Sequence, residues 1–464
     1  MANAFSHNNE LTTVRIPGSL ESNAIGSNPF NSCMSLRSFT GDNPIVSDNG
    51  MYLVRDDGTM VSYACAATYG VFTIPESVTA IGENAMAGSA FNGVKMLSLT
   101  PPALNVTAFS GIDAYSIQIP DAAINEYGSA SGWSSPAIMS HFVYYQSNRS
   151  IWYTTNGGNM LDIPSTLPSG CDLVSYGYTS GPLGHGVMIF SKEITDIPYR
   201  MFINANNNNE GKALKTVSLP EEVTVVGSMA FGNCYSLESV SFGNKITTIE
   251  ASAFYQCDLQ SLTLPESVTR LNAYAFQGNK HLTSVALPSS INYLGTNPFA
   301  DCVALTSFTG SNSFITSNGR CLAKDGHLIS FAAATTGTFQ VPSSITSIDT
   351  YAMSQASISS IIFPSNLKAI GDDAMISCPN LTSLTIPASV ISIGRYAFAY
   401  CPNLTSVTMQ GTTPPTLGDS AFIDNGNPQP LMPSGCKLLI PETASSAYSN
   451  ATNWSALSSY FELY

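Results

Sequence analysis

The chain has 464 residues, of which 17 are basic and 31 acidic, a net charge of −14. Charged residues make up 10%, against about 25% in an ordinary soluble protein, so Ser, Thr, Asn and Gly must carry the surface. An acidic chain without a Lys/Arg stripe excludes a nucleic-acid partner. No apolar run approaches the length of a membrane span.

The first residues, MANAFSHNNELTTVRIP, show neither a basic nor an apolar segment and do not read as a signal peptide. A leader outside this sequence, or release by another route such as with a virion, is the expectation. A phrase then begins to return. Small-large pairs end in Phe231, Phe254, Phe276 and Phe299, at steps of 23, 22 and 23 residues. Met353, Met375, Phe398 and Phe422 follow at steps of 22, 23 and 24. A period of that size sustained in tandem predicts a leucine-rich-repeat solenoid.

One unit can be read residue by residue. Leu381, Leu384 and Ile386 alternate with Thr and Ser, as in a short strand with one buried side. Pro387 cannot donate to a ladder and ends it. Val390 and Ile393 point a second segment inward, and Gly394 permits a bend. Ala397 and Phe398 are expected to start one helical turn that places Cys401 on the same face.

A larger duplication overlies the small one. NPFNSCMSLRSFTGDNPIVSDNG at Asn28–Gly50 matches NPFADCVALTSFTGSNSFITSNG at Asn297–Gly319, an offset of 269. Asp56–Gly58 and Asp325–Gly326 sit between apolar segments and predict a hairpin protruding from each copy. Tyr127 and Trp133 recur as Tyr448 and Trp454, an offset of 321. A solenoid end exposes apolar core, so each set predicts a lid made by an amphipathic helix carrying Tyr and Trp. Two lids imply two modules, 1–142 and 143–464, the second opening on a strand at Ile151–Tyr153 that looks like the first strand of such modules in Bacteroidetes-type surface proteins. Asn206–Asn209 reads as a polar loop inserted before the strand at Leu214.

LTIPASVISIGRYAFAYCPNLTSV (Leu384–Val407) and LTLPESVTRLNAYAFQGNKHLTSV (Leu262–Val285) resemble the BspA-like leucine-rich repeat family. The resemblance covers most of the chain outside roughly residues 143–190. It implies a secreted or cell-surface adhesin that binds a protein or glycan on a host or bacterial surface. A structural spacer in a surface assembly or virion is the alternative, and a glycan-active enzyme a distant third. No cofactor is implied.

Six of the ten cysteines, Cys33, Cys234, Cys257, Cys302, Cys378 and Cys401, stand three residues after the Phe or Met of a pair. A residue held at one repeat position is a core residue, so these read as buried free thiols. Cys234/Cys257 and Cys378/Cys401 are neighbours across coils, and bridging them would demand suitable geometry. The other four follow no zinc spacing. The histidines, His7, His141, His185, His281 and His327, form no metal motif. GPLGHG at Gly181–Gly186 lacks the Lys-Ser/Thr of a phosphate loop and reads as a turn. Asp48–Gly50, Asp56–Gly58 and Asp424–Gly426 read as turns too, without the spaced oxygens of a calcium loop. Neither a catalytic nor a metal site is predicted.

The candidate binding residues are repeat positions. Ser218, Ser241, Thr263, Thr385 and Thr408, with Ala286, are outward on the main strands and would make a flat, uncharged face. Tyr274, Tyr351 and Tyr396 stand two before the Phe or Met and are expected to form a ridge of rigid contact area.

Overall fold

The structure is a computed structural model that describes residues 4–464 except 48, 68–69, 113–114, 159, 163, 179–185, 204–212 and 425–430. The chain forms two compact units, Met1–Ser147 and Asn148–Tyr464. The fold is a leucine-rich-repeat β-solenoid of stacked coils with few helices. The expected loop at Asn206–Asn209, His185 and most of the GPLGHG stretch lie outside the described residues, as do Asp48, Asn425 and Gly426 of the predicted turns.

Each coil of the second unit has three hydrogen-bonded sides. On the first, main strands run parallel in register, as Ser383–Ile386 does with Ser406–Met409. Leu384 and Ile386 are buried while Ser383 and Thr385 are exposed, the alternation that a one-sided strand requires. On the second side, two-residue strands repeat the arrangement: Ser347–Ile348, Ala369–Ile370, Ser392–Ile393 and Thr416–Leu417 are parallel neighbours.

The third side differs from the expected helical turn. Tyr396 and Tyr400 both adopt left-handed backbone, with φ of 51° and 58°. The N–H groups of Tyr396, Phe398 and Tyr400 donate to the carbonyls of Asp419, Ala421 and Ile423 on the next coil, at 3.3, 2.8 and 2.7 Å. Met229, Phe231 and Asn233 do the same to Ala251, Ala253 and Tyr255. A helix would spend these donors within its own coil. A stack can spend them between coils, so every side carries a ladder.

The core lies inside this triangle. Phe202, Phe231, Phe254, Phe276 and Phe299 stack with centroids 5.0, 5.0, 5.2 and 5.6 Å apart and planes within 8°. Three residues later comes a thiol that binds backward. Cys234, Cys257, Cys302, Cys378 and Cys401 donate to the carbonyls of Phe202, Phe231, Phe276, Met353 and Met375 at 3.0 to 3.4 Å. Where a coil has no cysteine, Asn279 takes the place, its amide donating to the Phe254 and Phe276 carbonyls at 2.9 and 2.7 Å. All ten cysteines are buried and unbridged.

The predicted hairpins form but do not protrude. Cys321–Lys324 pairs antiparallel with His327–Phe331, and the second strand then pairs parallel with Ser347–Ile348. The equivalent strand Thr59–Tyr63 joins Ala80–Ile81. Even the turn is tied in, since the Gly326 carbonyl accepts from the Thr346 and Ser347 N–H groups at 2.7 and 3.0 Å. The extra length is absorbed by buried asparagines. Asn43 and Asn312, equivalent in the duplication, each donate to two carbonyls of the preceding coil at 2.8 and 2.9 Å. Asn28 and Asn297 reach across the insertion to the carbonyls of Asn84 and Tyr351, at 2.5 and 2.7 Å.

Each unit ends on matching chemistry. Ile124–Ser129 and Ser445–Asn450 are six-residue helices that bury Tyr127 and Tyr448. Trp133 and Trp454 lie beyond the helices rather than on them. Their indole N–H groups donate to the Pro102 and Pro415 carbonyls at 2.6 and 2.7 Å. The strand Phe142–Tyr145 pairs parallel with Ser116–Pro120, so residues 143–147 are part of the first unit. The second unit opens on Ser150–Thr155, antiparallel to both Gly186–Phe190 and Leu214–Ser218.

Candidate functional site

The outward side chains of the main strands fall into two files. One holds Ser218 beside Ser241, then Thr263, Ala286 and Thr309, and farther along Gln340, Ile362, Thr385 and Thr408. The other holds Thr216 and Ser239, Ser284 and Ser307, then Thr338, Ser360, Ser383 and Ser406. Ser241, Thr263 and Thr385 are exposed, and Ser218 and Thr408 are half-buried. Parallel pairing repeats the files at roughly 4.8 Å per coil. Some hydroxyls bind along the file, as Thr338 Oγ1 does with Ser360 Oγ at 2.8 Å. Ile362, 49% exposed, interrupts the hydroxyl file with an apolar side chain. Lys437 and Glu462, 2.8 Å apart, place charge at the end of this face.

The three tyrosines do not form an open ridge. Tyr274, Tyr351 and Tyr396 are half-buried and sit at φ of 59°, 56° and 51°, a region that bulky residues enter only when the surroundings hold them there. Tyr274 and Tyr351 are 77 residues apart in sequence, yet their rings meet edge to face with centroids 5.9 Å apart. The insertion between them is looped into the second side of the coil, so the third-side ladder passes from Asn297 directly to Tyr351. Burial, then the Asp373 carboxylate, push the Tyr351 hydroxyl up to about 12. Burial also raises Asp373 itself. Beside them Asp301 accepts from Gln277, Ser354 and Gln355 at 3.0, 2.7 and 2.8 Å. Tyr396 is apart from this cluster, with the Arg395 guanidinium 5.4 Å above its ring.

A groove on the second side was not read from the sequence. It is about 600 Å³ and is lined by Thr296, Asp349, Thr350, Asp372, Arg395 and the glycines between them. Gly371, Gly394 and Gly418 form its floor because no Cβ fits there. One on Gly371 would lie 2.8 Å from the Thr350 nitrogen, and those on Gly394 and Gly418 would meet the Asp372 and Arg395 backbone nitrogens. The polar residues follow Leu-Gly, Ile-Asp, Ile-Gly and Ile-Gly in successive coils. That column was visible in the repeat; its convergence on one groove was not.

The Cys302 thiol is pushed up to about 12 by burial; Cys257 is raised by burial and then by the neighbouring Cys234 thiol, and Cys378 by the neighbouring Cys401 thiol and then by burial. His281 pairs with Asp258, and His327 with Asp349 at 2.8 Å, both on the surface. Among the described residues no three His, Cys, Asp or Glu side chains are grouped to hold a metal, and no helix is long and apolar enough to cross a membrane.

Six copies of the BspA type leucine rich repeat region match residues 1–49, 195–325 and 329–435. No curated protein matches the chain. Among solved structures, a leucine-rich repeat protein from Eubacterium ventriosum is 22% identical with a TM-score of 0.44, over 55% of this chain and 66% of its own. A leucine rich cell surface protein from Faecalibacterium prausnitzii is 18% identical with a TM-score of 0.40, over 91% and 94%. The pneumococcal vaccine antigen PcpA is 16% identical with a TM-score of 0.40, over 58% and 83%. With its repeat signature matched over more than half its length, the chain belongs to the BspA-type leucine-rich repeat family.

Proposed function

We propose that the chain is a non-enzymatic binding module that meets a protein or glycan on an extracellular or cell-surface face. The observation that supports this most is the double file of Ser and Thr on the main strands. Its members repeat in register from Thr338 to Ser406 and from Thr263 to Thr309. A partner laid along the stack meets the same group coil after coil, so many modest contacts add together. No single Ser or Thr is a strong anchor. The family resemblance to surface adhesins supports the location.

The test is a panel of glycans and matrix proteins presented to the wild type and to a Thr263→Arg/Thr385→Arg double variant. Both positions are exposed, so the variant should fold. A partner that binds the wild type and loses affinity for the variant supports the strand face. A partner that binds both equally removes it.

A further inference from the structure

We propose that the groove between Thr296 and Gly418 is a second binding site, built for an uncharged sugar unit of a glycan chain. This rests on the reading of the chain as a binding module, but not on the strand face.

The groove runs over coils whose second side carries little side-chain volume on its floor. After the apolar pair of the second side, Glu250 and Asn272 occupy the column and fill it, Asn272 Nδ2 donating to Glu250 Oε2 at 2.6 Å. Glycine already stands in that column at Gly227 and Gly295, and after Asp349 it holds Gly371, Gly394 and Gly418 in unbroken succession. The next column, Ala251 and Ala273 in the filled stretch, becomes Thr296, Thr350, Asp372, Arg395 and Asp419. Three glycine coils in a row leave the floor without side chains where the wall carries Asp372 and Arg395.

The polar groups define the ligand class. Asp372 receives the Arg395 backbone N–H at 2.7 Å, and Asp349 holds His327 at 2.8 Å, so both carboxylates are oriented. Each carboxylate has two oxygens and several acceptor directions, which leaves capacity facing the groove. The Arg395 guanidinium packs over Tyr396, and among the described residues it makes no ion pair with Asp372 or Asp419. It presents donors. An anionic ligand would meet two carboxylates, and a cationic one would meet Arg395. A sugar ring with neighbouring hydroxyls both donates and accepts, and carries no charge to be repelled. About 600 Å³ falls within the range of ligand sites. Asp372 and Arg395 are exposed and Asp349 half-buried, so the groove flanks a chain rather than engulfing a small molecule.

The experiment titrates neutral hexasaccharides derived from β-glucan, mannan, xylan and galactan against the full chain, with sulfated galactan oligosaccharide as the charged comparison. Wild type, Arg395→Ala, Asp372→Asn and the Thr263→Arg/Thr385→Arg variant are compared, with a thermal melt of each to verify folding. At least one neutral probe should bind more tightly than the sulfated one. Arg395→Ala and Asp372→Asn should each weaken it about tenfold, as expected when a charge-assisted hydrogen bond is lost, and the strand-face variant should leave it unchanged. If no neutral probe binds, or the bound probe is indifferent to both groove variants, the site is wrong. Loss confined to the strand-face variant would overturn the groove while leaving the binding-module reading intact. If Arg395→Ala melts early, the isosteric Asp372→Asn variant decides.

Discussion

Phe254 lies on Phe276 with ring centroids 5.2 Å apart and 1° between their planes. The contact is one link of a column in which each ring is the floor of the ring above. A coil cannot collapse into a gap left in the column, because its backbone is held by ladders on three sides. Phe254→Ala is therefore expected to cost about 3–5 kcal/mol. Tyr274→Ala, which removes a half-buried ring from an edge-to-face pair, should cost about 1 kcal/mol. Denaturant melts of both variants check this, and equal midpoints would contradict the placement of the two rings.

A second test uses the duplication as its own control. Tyr63 occupies the position of Phe331, and its buried hydroxyl has no hydrogen-bond partner among the described residues. Its ring is fully buried against Phe72 and Phe91. Removing an unsatisfied buried hydroxyl without changing the ring relieves a desolvation cost of about 1–3 kcal/mol. Tyr63→Phe should raise the melting midpoint of the first unit; a lower midpoint would mean that the hydroxyl is satisfied in solution.

The buried thiols and phenols set an alkaline limit. Burial raises Cys302 to about 12 from an ordinary value of 9.0, Cys321 and Cys436 to about 11, and Tyr448 to about 12 from 10.0. In each case the folded state keeps a proton that the unfolded chain releases sooner. The resulting stabilisation is whole below about pH 9 and is lost as pH rises from there toward 12. Guanidinium unfolding at pH 7, 9 and 11 should show little change in the first step and a clear fall in the second. A flat profile to pH 11 would show that these groups titrate normally.

Binding through the strand face should respond weakly to salt. The files from Thr263 to Thr408 hold hydroxyls, Ala286, Gln340 and Ile362 but no charge, and the Lys437–Glu462 pair is at the margin. A partner that loses little affinity between about 0.05 and 0.5 M salt fits that surface. Steep salt dependence would point to contacts outside it.

Ile362→Thr separates the two kinds of contact in that file. The side chain is outward and 49% exposed, so stability should shift by no more than about 0.5 kcal/mol. If a partner uses the apolar break, its affinity falls while the melt does not.

The period, the inward Leu, Ile and Phe positions, the cysteine column and the duplication at an offset of 269 were legible in the sequence because each repeats, and repetition makes one-dimensional spacing a statement about stacking. What the spacing leaves open is where a hydrogen bond goes. Ala397–Cys401 looks helical by apolar spacing, but the N–H groups of Phe398 and Tyr400 face the next coil, and only the stack offers those acceptors. The hairpins at Asp56 and Asp325 looked like protrusions because they exceed the period; the tertiary structure folds them into the second-side ladder, where their strands find partners. The same looping brings Tyr274 onto Tyr351 and sets Thr296 and Thr350 in one groove lining. These meetings join residues of different coils, and distances between coils are decided by the stack rather than by any one repeat.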